Sequence, residues 1–525
     1  MDRLRRVGIQ PASRTKLLLT AAEAYPVLEA AFLDAREEIH VSFRVFDLET
    51  KLFSARGRQV GKTWFDLIVH VVARGLRVQV DLCDFDPCAR PDLHRGTWRS
   101  MRMLAAAREL AGPRAQLTTR ALLHPARSGI AVRLAFWPLV MSKLSKHAQW
   151  LNEQPEKSRA TLLRDMPGLA PHLVPSGQGR YARRLSGLPH LFPATHHQKI
   201  ALFDAKKLYI GGLDLDNRRY DTPDHERRGE RTWHDVQLLM TGPVAREAKA
   251  HLETYHEACA GQADAPPPRR LLRTIARRRK RAPFAIGPKS YRFEIATAHG
   301  MLVARAQKLI YLETQFFRST ALAKQLAKAA RDNSALQMIL LLPAAPEELA
   351  FEHSTGPDVR YGEFLQARAV KIVREAFGDR LFVGCPGQPR SARRPAQQED
   401  GRDRLSGAPL VYTHAKVSIF DDESAIVSSA NLNGRSLAWD TEAGVYLRRS
   451  DGVEQIRYRI MRHWLPENAG PECFALETAV ARWTEIARKN ADVPPDDRRG
   501  FLMPYSRSKA QEIGRNLPFI PEEMV

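Results

Sequence analysis

Residues 197–204 read HQKIALFD and residues 414–421 read HAKVSIFD, so the pattern His-x-Lys-x-x-x-x-Asp occurs twice. Each copy is followed, after the same gap, by two small residues, one further residue and a polar side chain. These tetrapeptides are GGLD at 211–214 and SSAN at 428–431. Because the motif and its downstream spacing recur together, they indicate a duplicated unit whose two half-sites meet.

The duplication extends beyond the motifs, because helix-like and strand-like segments alternate in the same order ahead of each one. The predicted strands are 40–46, 76–82, 309–313 and 335–342, each preceded by an apolar helix pattern. Helices and strands that alternate along the chain in this way are typical of an α/β fold. We therefore predict two pseudo-symmetric lobes, each a mixed β-sheet flanked by helices, with the active site at the interface between the lobes.

A chain of 525 residues exceeds what one hydrophobic core usually organises. The predicted domains are an N-terminal lobe at 1–262, a linker at 263–283 and a C-terminal lobe with a C-terminal tail at 284–525. The linker contains PPP at 266–268, followed by eight arginine or lysine residues up to Arg281. Such a segment favours either a solvated connector or a clamp for phosphate groups, and both readings stay open.

The N-terminal lobe carries a predicted basic insertion at 112–190. Within it, LAFWPLVM at 134–141 is apolar and is bracketed by Arg133 and Lys143. A short buried helix or strand is the favoured interpretation of this stretch. An interfacial loop that enters lipid is the alternative.

The formal net charge of +22 and the pI of about 10.0 predict attraction to a polyanion, either nucleic acid or an anionic membrane surface. The five cysteines lack zinc-ligand spacing, so no metal is expected. Neither a long apolar run nor a signal segment after Met1 is visible, which predicts a cytoplasmic protein with peripheral membrane association.

The first and third motif residues lie two apart on strand-like sequence and would project from the same face. Two imidazoles that converge on one phosphorus atom can divide the chemistry, because one attacks while the other moves the proton. The lysines, an amide side chain and nearby backbone N–H groups would hold the non-bridging oxygens. This chemistry needs no cofactor.

Several blocks resemble the phospholipase D superfamily, most closely its eukaryotic and plant-like branch. In the first half these blocks are THHQK at 195–199, GGLDL at 211–215, RYDTPDH at 219–225 and WHDV at 233–236. In the second half they are LETQFF at 312–317, HAK at 414–416, SANLNGRS at 429–436 and DTE at 440–442. The resemblance covers most of both predicted lobes.

The resemblance implies a role for each matching position. His197 would be the nucleophile and His414 the general acid and base. Lys199, Lys416 and Asn431 would contact phosphate, although Asp214 stands where the first half would have the equivalent asparagine. Asp235 and Glu442 would orient the imidazoles. The remaining implied residues are Gly211, Gly212, Asp214, Ser428 and Ser429 beside the substrate, and Asp204 and Asp421 as structural carboxylates.

The function implied is hydrolysis or transphosphatidylation of glycerophospholipids through a phosphohistidine, without a cofactor and by a monomer. Cardiolipin synthase is one alternative, and a nuclease of the same superfamily is another that the positive charge would suit. A catalytically silent scaffold for acidic lipids is the alternative from a different class, but both motifs retain their histidine and lysine.

Overall fold

The computed structural model describes residues 14–392 and 402–525, whose long strands form two large sheets. Residues 1–13, from which we expected no signal segment, lie outside the described residues. The strands of the first half are β1 (Thr15–Leu19), β2 (Glu38–Phe43), β3 (Arg77–Cys83), β4 (Gln116–Leu122), β5 (Leu173–Pro175), β6 (Tyr181–Arg183), β7 (Ile200–Phe203), β8 (Lys207–Gly211) and β9 (Val236–Thr241). The strands of the second half are β10 (Leu271–Arg277), β11 (Lys289–Phe293), β12 (Leu309–Thr314), β13 (Gln337–Leu341), β14 (Leu381–Pro386), β15 (Arg404–Leu405), β16 (Ala408–Pro409), β17 (Lys416–Phe420), β18 (Ser424–Ser428), β19 (Glu442–Arg448) and β20 (Leu502–Pro504).

Helices flank both sheets. Those of the first half are α1 (Thr20–Asp34), α2 (Ala55–Val60), α3 (Trp64–Ala73), α4 (Pro91–Leu110), α5 (Ile130–Glu153), α6 (Glu156–Arg164) and α7 (Pro243–Ala260). Those of the second half are α8 (Glu294–Val303), α9 (Thr320–Asp332), α10 (Glu347–Ala350), α11 (Pro357–Phe377), α12 (Gly434–Ala438), α13 (Val453–Trp464), α14 (Ala479–Asp492) and α15 (Arg507–Ile513). Local sequence sets several of these boundaries. Asp66 accepts the Thr63 amide at 2.9 Å at the start of α3, and α7 stops at Gly261, whose φ of 78° suits glycine.

The two sheets repeat one strand order. The first runs β1-β9-β8-β7-β2-β3-β4, and the second contains β10-β19-β18-β17-β12-β13-β14 with β11 and β20 added at its edges. In each sheet the last three strands of that order are parallel and the others antiparallel. The prediction of two pseudo-symmetric lobes with mixed sheets is confirmed.

The predicted linker at 263–283 is wrong for residues 271–277, because these form β10. This strand pairs antiparallel with β19, with Leu271 opposite Val445, as β1 pairs with β9 in the first sheet. The alternation of apolar and polar residues lets it pack, since Leu271 and Ile275 are fully buried. The repeat therefore includes β10, which was not predicted from the sequence because its many arginines are typical of a solvated linker.

Ion pairs accommodate the arginines of β10. Arg273 lies 2.7 Å from Glu294 Oε1, and Arg277 lies 2.9 Å from Asp264 Oδ1. The Arg277 guanidinium also lies 3.4 Å from the centroid of the Tyr291 ring. Neutralisation of this kind is what a basic strand needs in order to pack.

The predicted insertion at 112–190 begins too early. Its residues 116–122 form β4, which pairs parallel with β3 and completes the first sheet. The rest builds α5, α6 and the β5–β6 hairpin around a small apolar cluster of its own. That cluster contains Cys88, Val140, Met141, Leu144, Ala148, Leu151, Met166, Leu169 and Leu173.

The apolar stretch at 134–141 lies within α5, and its two ends differ. Val140 and Met141 are buried in the small cluster, whereas Leu134 and Leu139 are 59% and 52% exposed. The stretch is helical, but five of its eight residues are exposed and only Val140 and Met141 are buried, so the favoured interpretation of a short buried element is wrong for most of it. Across the described residues, every helix is too short or too polar to cross a bilayer.

Candidate active site

The backbone joins the two lobes beside each His motif. The His197 amide donates to Thr441 O at 2.8 Å, and the His414 amide donates to His234 O at 2.8 Å. Thr441 precedes Glu442 and His234 precedes Asp235. Each motif is therefore held against the acidic segment of the other lobe.

Each imidazole is bound by a carboxylate from the opposite lobe. His197 Nδ1 lies 2.9 Å from Glu442 Oε1, and His414 Nδ1 lies 2.6 Å from Asp235 Oδ2. Both carboxylates are fully buried. Since Nδ1 of each ring is engaged, Nε2 is the nitrogen left to react, and a carboxylate in this position fixes the tautomer and supports the imidazolium.

The motif lysines lie directly behind the imidazoles. Lys199 Nζ is 2.6 Å from His197 O and 3.2 Å from His197 Nε2. Lys416 Nζ is 2.9 Å from His414 Nδ1 and also donates to the His414 carbonyl. Both lysines are buried and both stay within reach of the reacting rings.

Burial shifts the protonation equilibria of the whole cluster. It lowers the pKa of His197 and of His414 well below the ordinary value, and the neighbouring Lys199 and Lys416 add to these shifts. Burial likewise raises the pKa of Asp235 to about 7 and that of Glu442 to about 8. Perturbed, mutually coupled groups of this kind concentrate at catalytic sites.

The five residues predicted to lie beside the substrate do not line the cavity, and this prediction is corrected. A Cβ at Gly211 or Gly212 would meet the Gln237 side chain or the Asp235 carboxylate at 2.2 Å. Ser429 Oγ donates to Glu442 Oε2 at 2.5 Å, and Ser428 Oγ accepts from the Ala430 amide. These residues are small because the carboxylates and strands pack against them.

Asp214 is also placed behind the cavity. Its carboxylate accepts the Val45 amide at 3.0 Å and lies 3.4 Å from Arg44 Nη1. Arg44 itself lines the cavity, so Asp214 positions a cation and does not reach the cavity wall. Asn431, by contrast, lines the cavity, with its Nδ2 3.3 Å from Gln315 Oε1.

The two motif aspartates face away from the imidazoles and make equivalent contacts. Asp204 accepts the backbone amides of residues 36–38 at 2.8–3.2 Å. Asp421 accepts those of residues 307–309 at 2.8–2.9 Å. Each carboxylate therefore ties its motif strand to the start of the neighbouring antiparallel strand, β2 or β12.

Replacing Asp204 with alanine should lower the free energy of unfolding by about 1–3 kcal/mol, because backbone donors lose their acceptor. Partial burial raises the pKa of Asp204, but the amides of Glu37, Glu38 and Arg36 hold it below the usual range. This stabilisation should therefore be present at neutral pH and lost as pH falls through that lowered pKa. Urea denaturation measures the change, with Asp421→Ala as the matched variant. Unchanged stability with lost activity would contradict the assignment.

His197 and His414 open into one cavity of about 430 Å³ between the lobes. Its wall also carries Phe316 and Trp233, whose ring is tilted by 35° against that of His414 with centroids 4.6 Å apart. Residues from α4, α5 and the segment before β7 complete one side of it. Two imidazoles from different lobes thus reach the same enclosed space.

Several arginines line this cavity, together with acidic side chains that include Asp86, Glu347 and Asp440. Arg219 lies 3.6 Å above the Trp233 ring, and Arg318 lies 3.9 Å from the Phe316 ring. Arg318 is buried and Arg219 is partly buried, and the Nε atom of each lacks a hydrogen-bond partner within the described ranges. Arg44 and Arg435 also line the cavity. Arg219 Nη1 also lies 3.7 Å from Glu347 Oε2, and guanidinium donors with remaining hydrogen-bond capacity at a cavity wall suit an anionic ligand.

The sequence motifs did not reveal these arginines. Arg219 and Arg435 stand inside blocks that carried the family resemblance, yet neither had been given a role. Arg44 follows the β2 strand directly, and this position at a strand end was the available signal. Arg318 follows LETQFF by one residue and had no comparable pattern.

Comparisons with known proteins find similarity to phospholipase D enzymes. The family profile described as "Cardiolipin synthase, PLD-like domain" matches residues 301–464. Phospholipase D1 of Schizosaccharomyces pombe is 23% identical over 379 residues, and Phospholipase D beta 1 of Arabidopsis thaliana is 22% identical over 416 residues. These matches support the resemblance to the phospholipase D superfamily that the paired motifs indicated.

The matches to these relatives are partial. They cover 54% and 55% of this chain, but 28% and 37% of the two relatives. The chain therefore corresponds to roughly a third of the length of the curated proteins it matches. Among solved structures, phosphatidylserine synthase of Haemophilus influenzae Rd KW20 superposes with a TM-score of 0.48 at 12% identity, covering 91% of this chain and 94% of that one.

Proposed function

We propose that this chain is a phosphodiesterase of the phospholipase D type, which transfers the phosphatidyl group of a glycerophospholipid to water or another alcohol. The observation that carries the proposal is the pair of imidazoles, one from each lobe, that open into one cavity lined by several arginines. Each ring has its Nδ1 held by a buried carboxylate. This arrangement supports in-line attack on a phosphodiester from one side and protonation of the leaving group from the other.

In the proposed first step, His197 Nε2 attacks phosphorus while the bond to the headgroup oxygen breaks. His414, as imidazolium, gives its Nε2 proton to the departing alkoxide. In the second step, neutral His414 takes a proton from water or an alcohol, whose oxygen attacks phosphorus and breaks the P–N bond. His197 is then free again, and protons and bonds balance over the cycle.

The charge of the substrate supports this division of labour. Burial and nearby cations lower the pKa of both imidazoles, which keeps His197 neutral and able to attack. A bound phosphodiester anion would favour the protonated form of His414. The lysines and the arginines that line the cavity would balance the negative charge that builds up on the phosphoryl oxygens.

Cardiolipin synthesis is the second candidate, because the matching family profile carries that description. In that reaction the attacking alcohol is the headgroup of a second phospholipid. A single assay separates the candidates: the protein is incubated with phosphatidylcholine and phosphatidylglycerol, with and without ethanol, and with an oligonucleotide. Free choline or phosphatidylethanol would support phospholipase D activity, cardiolipin would support the synthase, and oligonucleotide cleavage alone would contradict both.

We also propose that the substrate is met at an anionic membrane surface. The net charge of +22 should attract the protein to such a surface, and salt screens attraction of this kind. Binding to vesicles that contain phosphatidylglycerol should therefore fall several-fold between about 0.05 M and about 0.5 M NaCl. Co-sedimentation measures the bound fraction, with pure phosphatidylcholine vesicles as the control. Salt-independent binding would instead assign the anchoring to the exposed apolar side of α5.

Because one chain supplies both His motifs, a monomer suffices for the proposed reaction. The roles proposed for Asp235 and Glu442 are to position the two imidazoles. Lys199, Lys416 and Asn431 are proposed to stabilise the phosphoryl group, and Asp204 and Asp421 to hold the strands that carry the motifs.

A further inference from the structure

Three imidazoles form a separate cluster at the lobe interface. His225 lies in the loop between β8 and β9, His234 precedes Asp235, and His463 is on α13 of the second lobe. One ring nitrogen of each lies within 4.8 Å of those of the other two. His225 and His234 are fully buried and His463 is half-buried, so solvent reaches the cluster from the α13 side. The proposed phosphodiesterase chemistry uses none of the three.

Buried carboxylates stand behind two of these rings. His225 Nδ1 donates to Asp221 Oδ2 at 2.7 Å, which leaves Nε2 as the lone-pair nitrogen, 2.9 Å from His463 Nε2. His234 Nε2 lies 2.9 Å from Glu313 Oε1, but neither atom has a hydrogen-bond partner among the described residues, so only the His225 ring is held by a carboxylate hydrogen bond. A carboxylate on the far nitrogen is the usual support of a metal-binding histidine, since it fixes the ring and strengthens it as a ligand.

Two further features indicate that the cluster of His225, His234 and His463 has a function beyond packing of the core. His225 has a φ of 49°, a left-handed conformation that is uncommon for a residue with a side chain and that concentrates at functional sites. His234 Nδ1 is buried and lacks a hydrogen-bond partner in the part of the chain that is described. An unpaired buried nitrogen costs free energy unless something binds it.

A second cluster of possible metal ligands is less suitable for binding a metal ion. His124, His196 and Cys259 also bring ligand atoms within 4.8 Å of one another. However, His124 Nδ1 accepts the Ala126 amide at 3.2 Å, so the neutral ring carries its proton on Nε2. That nitrogen then has no lone pair for a metal.

We propose that His225, His234 and His463 bind a divalent transition metal of the zinc class. Three neutral imidazoles without a thiolate suit Zn²⁺, Ni²⁺ or Cu²⁺, and zinc is the probe of choice because it has no redox chemistry. The ion would tie α13 to the loop that leads into Asp235 and so fix the acid beside His414. The sequence led us to expect no metal, because these ligands are scattered over residues 225–463 without recognisable spacing.

The test uses the full-length, tag-free protein, produced with added zinc and dialysed against buffer. Elemental analysis should find close to one zinc per chain, and Co²⁺ substitution should give visible d–d absorption. The His463→Gln variant, changed at the half-buried ligand, should lose both the bound zinc and the increase in Tm that zinc gives the wild type. His256→Gln, a half-buried histidine beside the other cluster, is the matched control and should retain both.

The proposal would be overturned if the wild-type protein bound no zinc, gave no Co²⁺ d–d absorption and showed no increase in Tm on addition of zinc. This holds even if the His463→Gln variant failed to fold. Loss of zinc in His256→Gln with retention in His463→Gln would overturn it as well. Since the readouts are metal content, spectrum and Tm, they remain interpretable whether or not the proposed lipid chemistry is correct.

Discussion

Replacing His197 with alanine should lower phospholipid turnover by about 10⁴-fold or more, because a residue that forms the covalent intermediate has no substitute in the cavity. The imidazole lies at the cavity wall and its Nδ1 is bound to Glu442, so removal takes away the attacking Nε2 atom. Initial rates with saturating phosphatidylcholine vesicles measure the effect. His70→Ala, at an exposed position of α3, is the control and should keep wild-type activity.

The fold should survive this substitution. His197 lies in an extended segment held mainly by its backbone, whose amide donates to Thr441 O. We expect the circular dichroism spectrum of the variant to match that of the wild type, with Tm within a few degrees. Substantial residual turnover in a folded His197→Ala protein would refute the assignment of the nucleophile.

Replacing either of the two buried carboxylates with its amide should lower kcat by about 10²- to 10⁴-fold, with a smaller change in KM. An amide no longer fixes the ring tautomer or supports the imidazolium. Because the pairing crosses between lobes, Glu442→Gln should impair His197 and Asp235→Asn should impair His414. Steady-state kinetics of the two variants measure this effect, with the exposed Glu477→Gln as a matched control.

The two amide variants should respond differently to the leaving group. A p-nitrophenyl phosphodiester releases a phenolate that needs no proton, so Asp235→Asn should recover much of its first-step rate on this substrate. Glu442→Gln should stay slow, because attack by His197 is still impaired. A merely structural role for both residues would give parallel losses on both substrates, and that outcome would contradict the proposed division of labour.

Much of the fold could be predicted from the sequence, because the predicted helices and strands of both halves follow the same order around the repeated motif. The strands predicted at 40–46 and 309–313 appear as β2 and β12, each next to its motif strand. The run LIYLE at 309–313 is nearly continuous in apolar residues, as is typical of a strand covered on both faces, whereas HVSFRVF at 40–46 mixes them with His40, Ser42 and Arg44. Strand β10 escaped prediction because its arginines read as solvated charge, whereas ion pairs and an aromatic ring neutralise them.

The site was predictable to the extent that it rests on motifs. His197, His414, Asp235 and Glu442 could be named from the sequence, but the crossed pairing of acid and imidazole depends on how the lobes meet. The small residues after each motif were expected to face substrate, and in fact they make room for the carboxylates. The arginines of the wall come from separate loops, so tertiary packing alone assembles them.

The most direct test of the central claim is to trap the covalent intermediate. His414→Ala protein, which keeps the nucleophile but lacks the base for the second step, is mixed with a p-nitrophenyl phosphodiester and quenched in alkali. We predict a burst of p-nitrophenol equal to the enzyme concentration, with mass spectrometry placing the phosphoryl adduct on His197. The absence of a burst, or an adduct on any other residue, would contradict the account.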